Sequence, residues 1–175
     1  TISSAGFHIM TVNPSRVYGP GLLSESNGVT RLIKRYIEGK WRFIPGNGKS
    51  TGNYVYIDDV IEGHILAMEK GRKGESYILG GENADFINFF KQLKEVSGKN
   101  YRLLKLPLSL MIAVSYLMLI YAKITGKPPM IVPDLVRKYD KNFRLSSEKA
   151  KTELDYSPLS LTEGIKKTIE WLKTQ

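Results

Sequence analysis

Two segments of this 175-residue chain place a phenol four residues ahead of an ammonium, Tyr36 with Lys40 and Tyr101 with Lys105. An ammonium beside a phenol favours the phenolate, so such a pair can serve as a general acid or base. Ten Tyr in a lysine-rich chain make such spacings expected by chance, and no catalytic role is assigned to either. The imidazoles are His8, in an apolar run, and His64, in a helical pattern. Without Cys they cannot build a common zinc site unaided, and both read as structural. Asp58 and Asp59 read as a helix cap rather than paired carboxylates. Gly48-Lys49-Ser50-Thr51 matches only the end of a phosphate-binding loop, since the upstream glycine of that motif falls at Phe43. It reads as a turn. No nucleophile, base and orienting group stand together, and no metal-ligand set is expected.

The elements that would position chemistry follow from pattern. Phe7 to Val12 is a short apolar run that predicts a buried strand ending at Asn13-Pro14. Tyr18-Gly19-Pro20-Gly21 predicts a loop. Val29, Leu32, Ile33, Tyr36 and Ile37 repeat at helical spacing before Gly39, predicting a helix over 28–38. Strands are predicted over 41–44, 54–57 and 77–79. Asp59 and Glu62 have capping-box spacing ahead of a helix running to Lys70. Phe86, Phe89, Phe90, Leu93 and Val96 form the stripe of another helix, closed by Gly98. The last third reads as mostly helical, with a second capping box at Ser160 and Glu163 before a terminal helix. Strands alternating with amphipathic helices indicate an α/β protein.

Composition narrows the function classes. Absence of Cys excludes disulfide frameworks and thiol catalysis and permits a reducing, cytoplasmic location. Lys and Arg number 26 against 17 acids, a net +9 that attracts anions. Between residues 99 and 144 nine basic residues face two acids, so most of the excess is local. That stretch surrounds Leu106 to Ala122, an uncharged run flanked by Lys105, Lys123 and Lys127 and near the lower limit for a bilayer span. It is expected to be a buried or dimer-forming helix. The alternative is a non-catalytic membrane-surface or binding module that uses this helix and its basic flanks. Arg31, Lys34, Arg35, Lys40 and Arg42 lie near Tyr36 and Trp41, but Tyr36 falls on the apolar stripe. An ordinary solvated face is therefore expected, and no nucleic-acid partner. The chain begins Thr1-Ile2-Ser3 without Met or signal-peptide pattern, and is expected to be part of something longer.

Three segments in order carry a family resemblance: Asn13-Pro14-Ser15-Arg16-Val17-Tyr18-Gly19-Pro20-Gly21, Tyr54-Val55-Tyr56-Ile57-Asp58-Asp59-Val60, and Tyr77-Ile78-Leu79-Gly80-Gly81-Glu82-Asn83. Together they resemble the second half of extended short-chain dehydrogenase/reductases, the NAD-dependent epimerase/dehydratase family. Thr125-Gly126-Lys127-Pro128-Pro129 and the stretch from Ser146 to Pro158 look like its dihydroflavonol-reductase-like branch. The resemblance implies the C-terminal part of a Rossmann-like fold that binds NAD or NADP, with a smaller, mostly helical substrate region. Residues 1–22 and 54–82 would complete the dinucleotide-binding sheet, and 23–53 and 83–175 would form the substrate region.

By the same resemblance Pro14, Ser15 and Val17 border the nicotinamide, while Arg16 and Tyr18 face a small-molecule substrate. The family's Gly-rich turn and catalytic Tyr-x-x-x-Lys lie upstream of the strand here placed at 7–12, so the chain alone is expected to be inactive, with no catalytic residue of its own. Relatives acting on nucleotide sugars commonly carry Asn at the position of Arg16 and Arg at that of Gly52. Both departures point to a smaller or more apolar carbonyl or hydroxyl compound, with Arg16 pairing to an anionic or oxygen-bearing group. A homodimer is compatible with these features.

Overall fold

The computed structural model describes residues 8–23, 27–127, 129 and 131–175. Seven strands and seven helices alternate among them: β1 (Thr11–Pro14), β2 (Arg16–Tyr18), α1 (Gly28–Ile37), β3 (Phe43–Pro45), β4 (Thr51–Tyr56), α2 (Ile57–Lys70), β5 (Ser76–Leu79), β6 (Glu82–Asp85), α3 (Phe86–Ser97), β7 (Leu104–Leu106), α4 (Leu108–Thr125), α5 (Pro133–Lys138), α6 (Glu148–Leu154) and α7 (Leu161–Leu172). Parallel pairs join β1 to β5, β2 to β4 and β3 to β7, and β6 adds antiparallel to β4. The fold is α/β, as expected.

The first strand lies later than the apolar run suggests. It spans Thr11–Pro14 instead of 7–12, and Phe7 lies outside the described residues. Pro14 is tolerated for a geometric reason. The amides of Thr11 and Ser15 donate to the carbonyls of Glu75 and Leu79, so the nitrogen of Pro14 points to the other edge. Among the described residues that edge of β1 has no partner strand. Tyr18 ends β2 instead of opening the loop. The strand expected at 41–44 runs Phe43–Pro45 and pairs with β7, whose last residue, Leu106, is the first of the long apolar run. The strand expected at 54–57 runs Thr51–Tyr56 and is buried along nearly its whole length between β2 and β6.

The helices follow the apolar periodicity more closely. α1 and α3 start at the expected places, and Gly98 ends α3 in the left-handed conformation, φ +66°. Ser160 and Glu163 form the expected capping box of α7. The capping box expected of Asp59 and Glu62 is absent. α2 starts at Ile57, which puts Asp58 and Asp59 in its first turn, and the Asp59 carboxylate accepts from the Leu159 amide at 3.1 Å. Two negative side chains there complement the positive end of the helix dipole without capping it.

The main core joins Tyr18, Tyr36, Tyr54, Phe89, Leu93, Leu161 and Ile165, so α1, α3 and α7 pack on the β2–β4–β6 sheet. Each fully buried Phe or Leu there contributes about 1.5–3 kcal/mol relative to exposure. A second cluster holds α2 and α6 to β5 through Ala67, Tyr77, Leu79 and Leu154. A third, built on Met111, Ile131 and Val136, joins α4 to α5. One close approach ties the sheet to the last helix: a Cβ added at Gly164 would sit 2.1 Å from the Tyr18 hydroxyl oxygen. Gly164→Ala is therefore expected to destabilise the fold by about 1–3 kcal/mol in urea denaturation. In a Tyr18→Phe background the same change should cost about 1 kcal/mol less, and full additivity would show that this contact does not set the spacing.

Candidate functional site

An open cleft of about 810 Å³ lies between the turn from β1 into β2, the loop Gly19–Gly21, α1 and α5. Its position follows from local chemistry. Gly19 has φ +132°, and a Cβ there would meet Ile57 at 2.7 Å, so a bare backbone is needed where the loop crosses the start of α2. Thr30, buried on α1, accepts from the Gly19 amide at 3.0 Å and donates to the Gly19 carbonyl at 3.2 Å. The loop is thereby fixed to α1, which forms one wall.

The sequence-predicted residues divide at this cleft. Ser15, Arg16, Val17 and Tyr18 all line it, and Pro14 adjoins at the exposed end of β1. The Ser15 hydroxyl is buried with no hydrogen-bond partner among the described residues. Tyr18 is nearly fully buried, its hydroxyl donating toward the Leu161 carbonyl at 3.4 Å. Burial, with Asp59 and Glu82 nearby, holds its phenol far above the usual range, so it stays protonated.

Arg16 is the most informative side chain. The guanidinium carbon is 5.8 Å from the Tyr54 ring centre and 5.6 Å from that of Phe143. Among the described residues no carboxylate lies within ion-pairing distance of it. Gly52 explains how it fits, because a Cβ at that position would stand 2.6 Å from an Arg16 guanidinium nitrogen. Glycine at position 52 therefore leaves room for the Arg16 guanidinium in this placement. Burial raises the phenol of Tyr54, with Arg16 opposing the shift, and burial pushes Tyr139 up to about 12, again opposed by Arg16.

The other walls were not assigned to a site from the sequence. Val29, Leu32, Trp41, Phe86, Ile131 and Leu135 supply apolar and aromatic surface. Arg31 and Arg35, expected on an ordinary solvated face, stand on the cleft wall together with Lys138 from α5. Their spacing along α1, four residues, was the available signal. The described lining contains four cations and no carboxylate.

The motifs set aside in the sequence stay apart from this cleft. Lys40 pairs with Glu38 at 2.8 Å, and the Tyr36 hydroxyl donates to the Lys99 carbonyl at 2.9 Å. His8 and His64 each hydrogen-bond a backbone carbonyl, of Gly71 at 2.8 Å and of Val60 at 2.7 Å. Gly48 is a left-handed turn residue between β3 and β4, φ +81°. Among the described residues no three metal-ligating side chains gather.

Residues 2–80 match the family model described as the NAD dependent epimerase/dehydratase family. The chain is 32% identical to a 3beta-hydroxysteroid-dehydrogenase/decarboxylase of Arabidopsis thaliana, covering 95% of this chain and 40% of that protein. It is 30% identical to short-chain dehydrogenase/reductase family 42E member 1 of Bos taurus, covering 93% of this chain and 43% of the relative. Among solved structures it is similar to the UDP-glucose 4-epimerase of Thermotoga maritima with UDP-glucose, at TM-score 0.66 and 28% identity, over 94% of this chain and 46% of that one. The chain thus spans about two fifths of the length of these curated relatives.

The Tyr139 phenol gives a pH test of the cleft wall. An unfolded phenol ionises near pH ~10, whereas the folded one keeps its proton to about 12. The unfolded state therefore loses its proton first, and stability falls as pH rises through that window. Tyr139→Phe should make the fall between those values shallower in denaturant titrations. An unchanged slope would place the phenol in water.

Proposed function

From a chain that belongs to the extended short-chain dehydrogenase/reductases, of the NAD-dependent epimerase/dehydratase family, we propose that it forms the substrate side of an NAD(P)-dependent oxidoreductase site. The substrate class is an apolar alcohol or ketone that carries an anionic group. The observation that carries this reading is Arg16, set in the cleft beside two aromatic rings, without a carboxylate partner among the described residues. A guanidinium so placed offers paired donors to an oxyanion, and the apolar walls suit a hydrophobic body. Two relatives, the hydroxysteroid dehydrogenase/decarboxylase and the sterol demethylase protein B of Methylococcus capsulatus, bear names that fit such a substrate. Arg16 and Gly52 both depart from the Asn and Arg that relatives acting on nucleotide sugars commonly carry at these positions, which disfavours the nucleotide-sugar alternative.

The residues present fit the nicotinamide end of the cofactor. Ser15 offers a buried hydroxyl with nothing in the described chain to satisfy it, and Pro14 and Val17 flank it with apolar surface. When bound, the cofactor supplies the hydride acceptor or donor. Arg16 would orient the substrate by its charged group, Trp41 and Leu32 would exclude water, and the neutral Tyr54 would keep the arginine in place. The dinucleotide-phosphate turn and the acid/base tyrosine would come from polypeptide preceding this chain. Among the described residues the outer edge of β1 has no partner strand and is open to one from such a polypeptide.

Trp41 lines the cleft and gives a direct readout in the full chain with Trp171→Phe. A hydroxysteroid carboxylate should change its fluorescence at lower concentration than the neutral hydroxysteroid, and UDP-glucose should change it least. Arg16→Ala should weaken the carboxylate by about ten- to a hundredfold while sparing the neutral compound. Tighter binding of UDP-glucose, or equal loss for both steroids, would overturn the reading.

A further inference from the structure

The long apolar helix departs from expectation. α4 is apolar on every side, and only Met111 and Ser115 of its residues are buried. Its mean hydropathy is 1.8, with 11% of its length inside the fold. Expected in part as a buried helix, it instead leaves Leu110, Leu117, Tyr121 and Ile124 in the open, Leu117 and Ile124 at 65% and 79% exposure. A helix that is apolar all round belongs in a protein core or in lipid.

We infer that α4 lies in one leaflet of an anionic membrane and seats the protein on that surface. Charge complementarity selects this occupant. Lys105 precedes the helix, Lys123 and Lys127 close it, and no acidic residue lies between 99 and 133. Tyr116 and Tyr121 carry polar tips on apolar rings, suited to the headgroup boundary. The Tyr116 hydroxyl already meets the Arg137 guanidinium at 2.9 Å. Topology decides between lying in the leaflet and crossing it. The face of α4 through Met111 packs on Ile131 and Val136, so α5 folds back against the helix that precedes it. β7, immediately before α4, pairs with β3 of the same body. A spanning helix would need its two ends on opposite sides, and this packing keeps both on one. Because α5 also lines the cleft through Leu135 and Lys138, followed by Tyr139, the cleft would open near the bilayer. Entry of an apolar substrate from the lipid is a consequence that rests on the function proposed above, whereas docking itself does not.

The test is cosedimentation of the full chain with vesicles of phosphatidylcholine, with and without phosphatidylserine, at low and at physiological salt. Binding to the phosphatidylserine vesicles is expected, weakening with salt. Lys123→Glu with Lys127→Glu should reduce it at least about tenfold, since each basic residue near an anionic surface contributes on the order of 1 kcal/mol. Leu117→Glu with Ile124→Glu should abolish it, with the helical circular-dichroism signal and Trp41 titration retained. No binding to either vesicle would overturn the inference. So would a concentration-dependent dimer, dissolved by Leu117→Glu with Ile124→Glu, in a protein that ignores vesicles: that result assigns the face to a second copy. Failure of the Trp41 titration alone would leave docking intact and strike only the substrate reading.

Discussion

The pairing of β2 with β4 sets everything around the cleft. Its register puts Arg16 opposite Tyr54 and Tyr18 opposite Tyr56, so alternate residues of β2 emerge on the same face as two tyrosines. Tyr18 meets Tyr56 edge-on at 6.0 Å and reaches α7, while Arg16 stays at the cleft. A slip of one residue would send Arg16 to the opposite face and Val17 toward the main core. The elements beyond β4 are held by side chains. Asn53, buried in β4, accepts from the Gly81 amide at 2.9 Å and donates to the Gly81 carbonyl at 3.0 Å. Glu82 accepts from the Leu161 amide at 3.0 Å, which locks the start of α7 to β6.

Charge distribution divides along the same lines. The surface pairs Lys70–Asp155, Lys151–Glu148 and Arg137–Asp134 are exposed and add little to stability. The cleft cations are different, because the described lining offers them phenols and indole but no carboxylate. Four cations in one partly enclosed volume repel one another unless an anion enters. The aromatic rings around Arg16 lower its hydration without neutralising it.

The sequence made the helices legible because their stripes are long and their caps chemical: Gly98 and Ser160 with Glu163 end and begin α3 and α7 as their residue types require. Strands were less legible. β7 is three residues, Leu104–Leu106, whose only distinction is its partner β3, some sixty residues away and invisible to local pattern. β1 runs through Pro14, beyond the apolar run, because among the described residues its outer edge has no partner strand and tolerates a proline. Asp59 had cap spacing yet turned its carboxylate to Leu159, a contact one hundred residues distant. At the cleft, Ser15 to Tyr18 could be placed by family resemblance, while Arg35, Lys138 and Tyr139 required the packing of α1 and α5. The exposure of α4 was equally unreadable, since an apolar run looks the same in a core and on a surface.

The most direct measurement is the carboxyl titration of a bound hydroxysteroid carboxylate labelled with 13C, followed by NMR in the full chain. Pairing with the Arg16 guanidinium predicts a carboxyl pKa below that of the free compound, returning toward or above the free value in Arg16→Gln. A bound pKa that is raised in the unaltered chain, and indifferent to Arg16→Gln, would show a buried acid without a cationic partner and contradict the account.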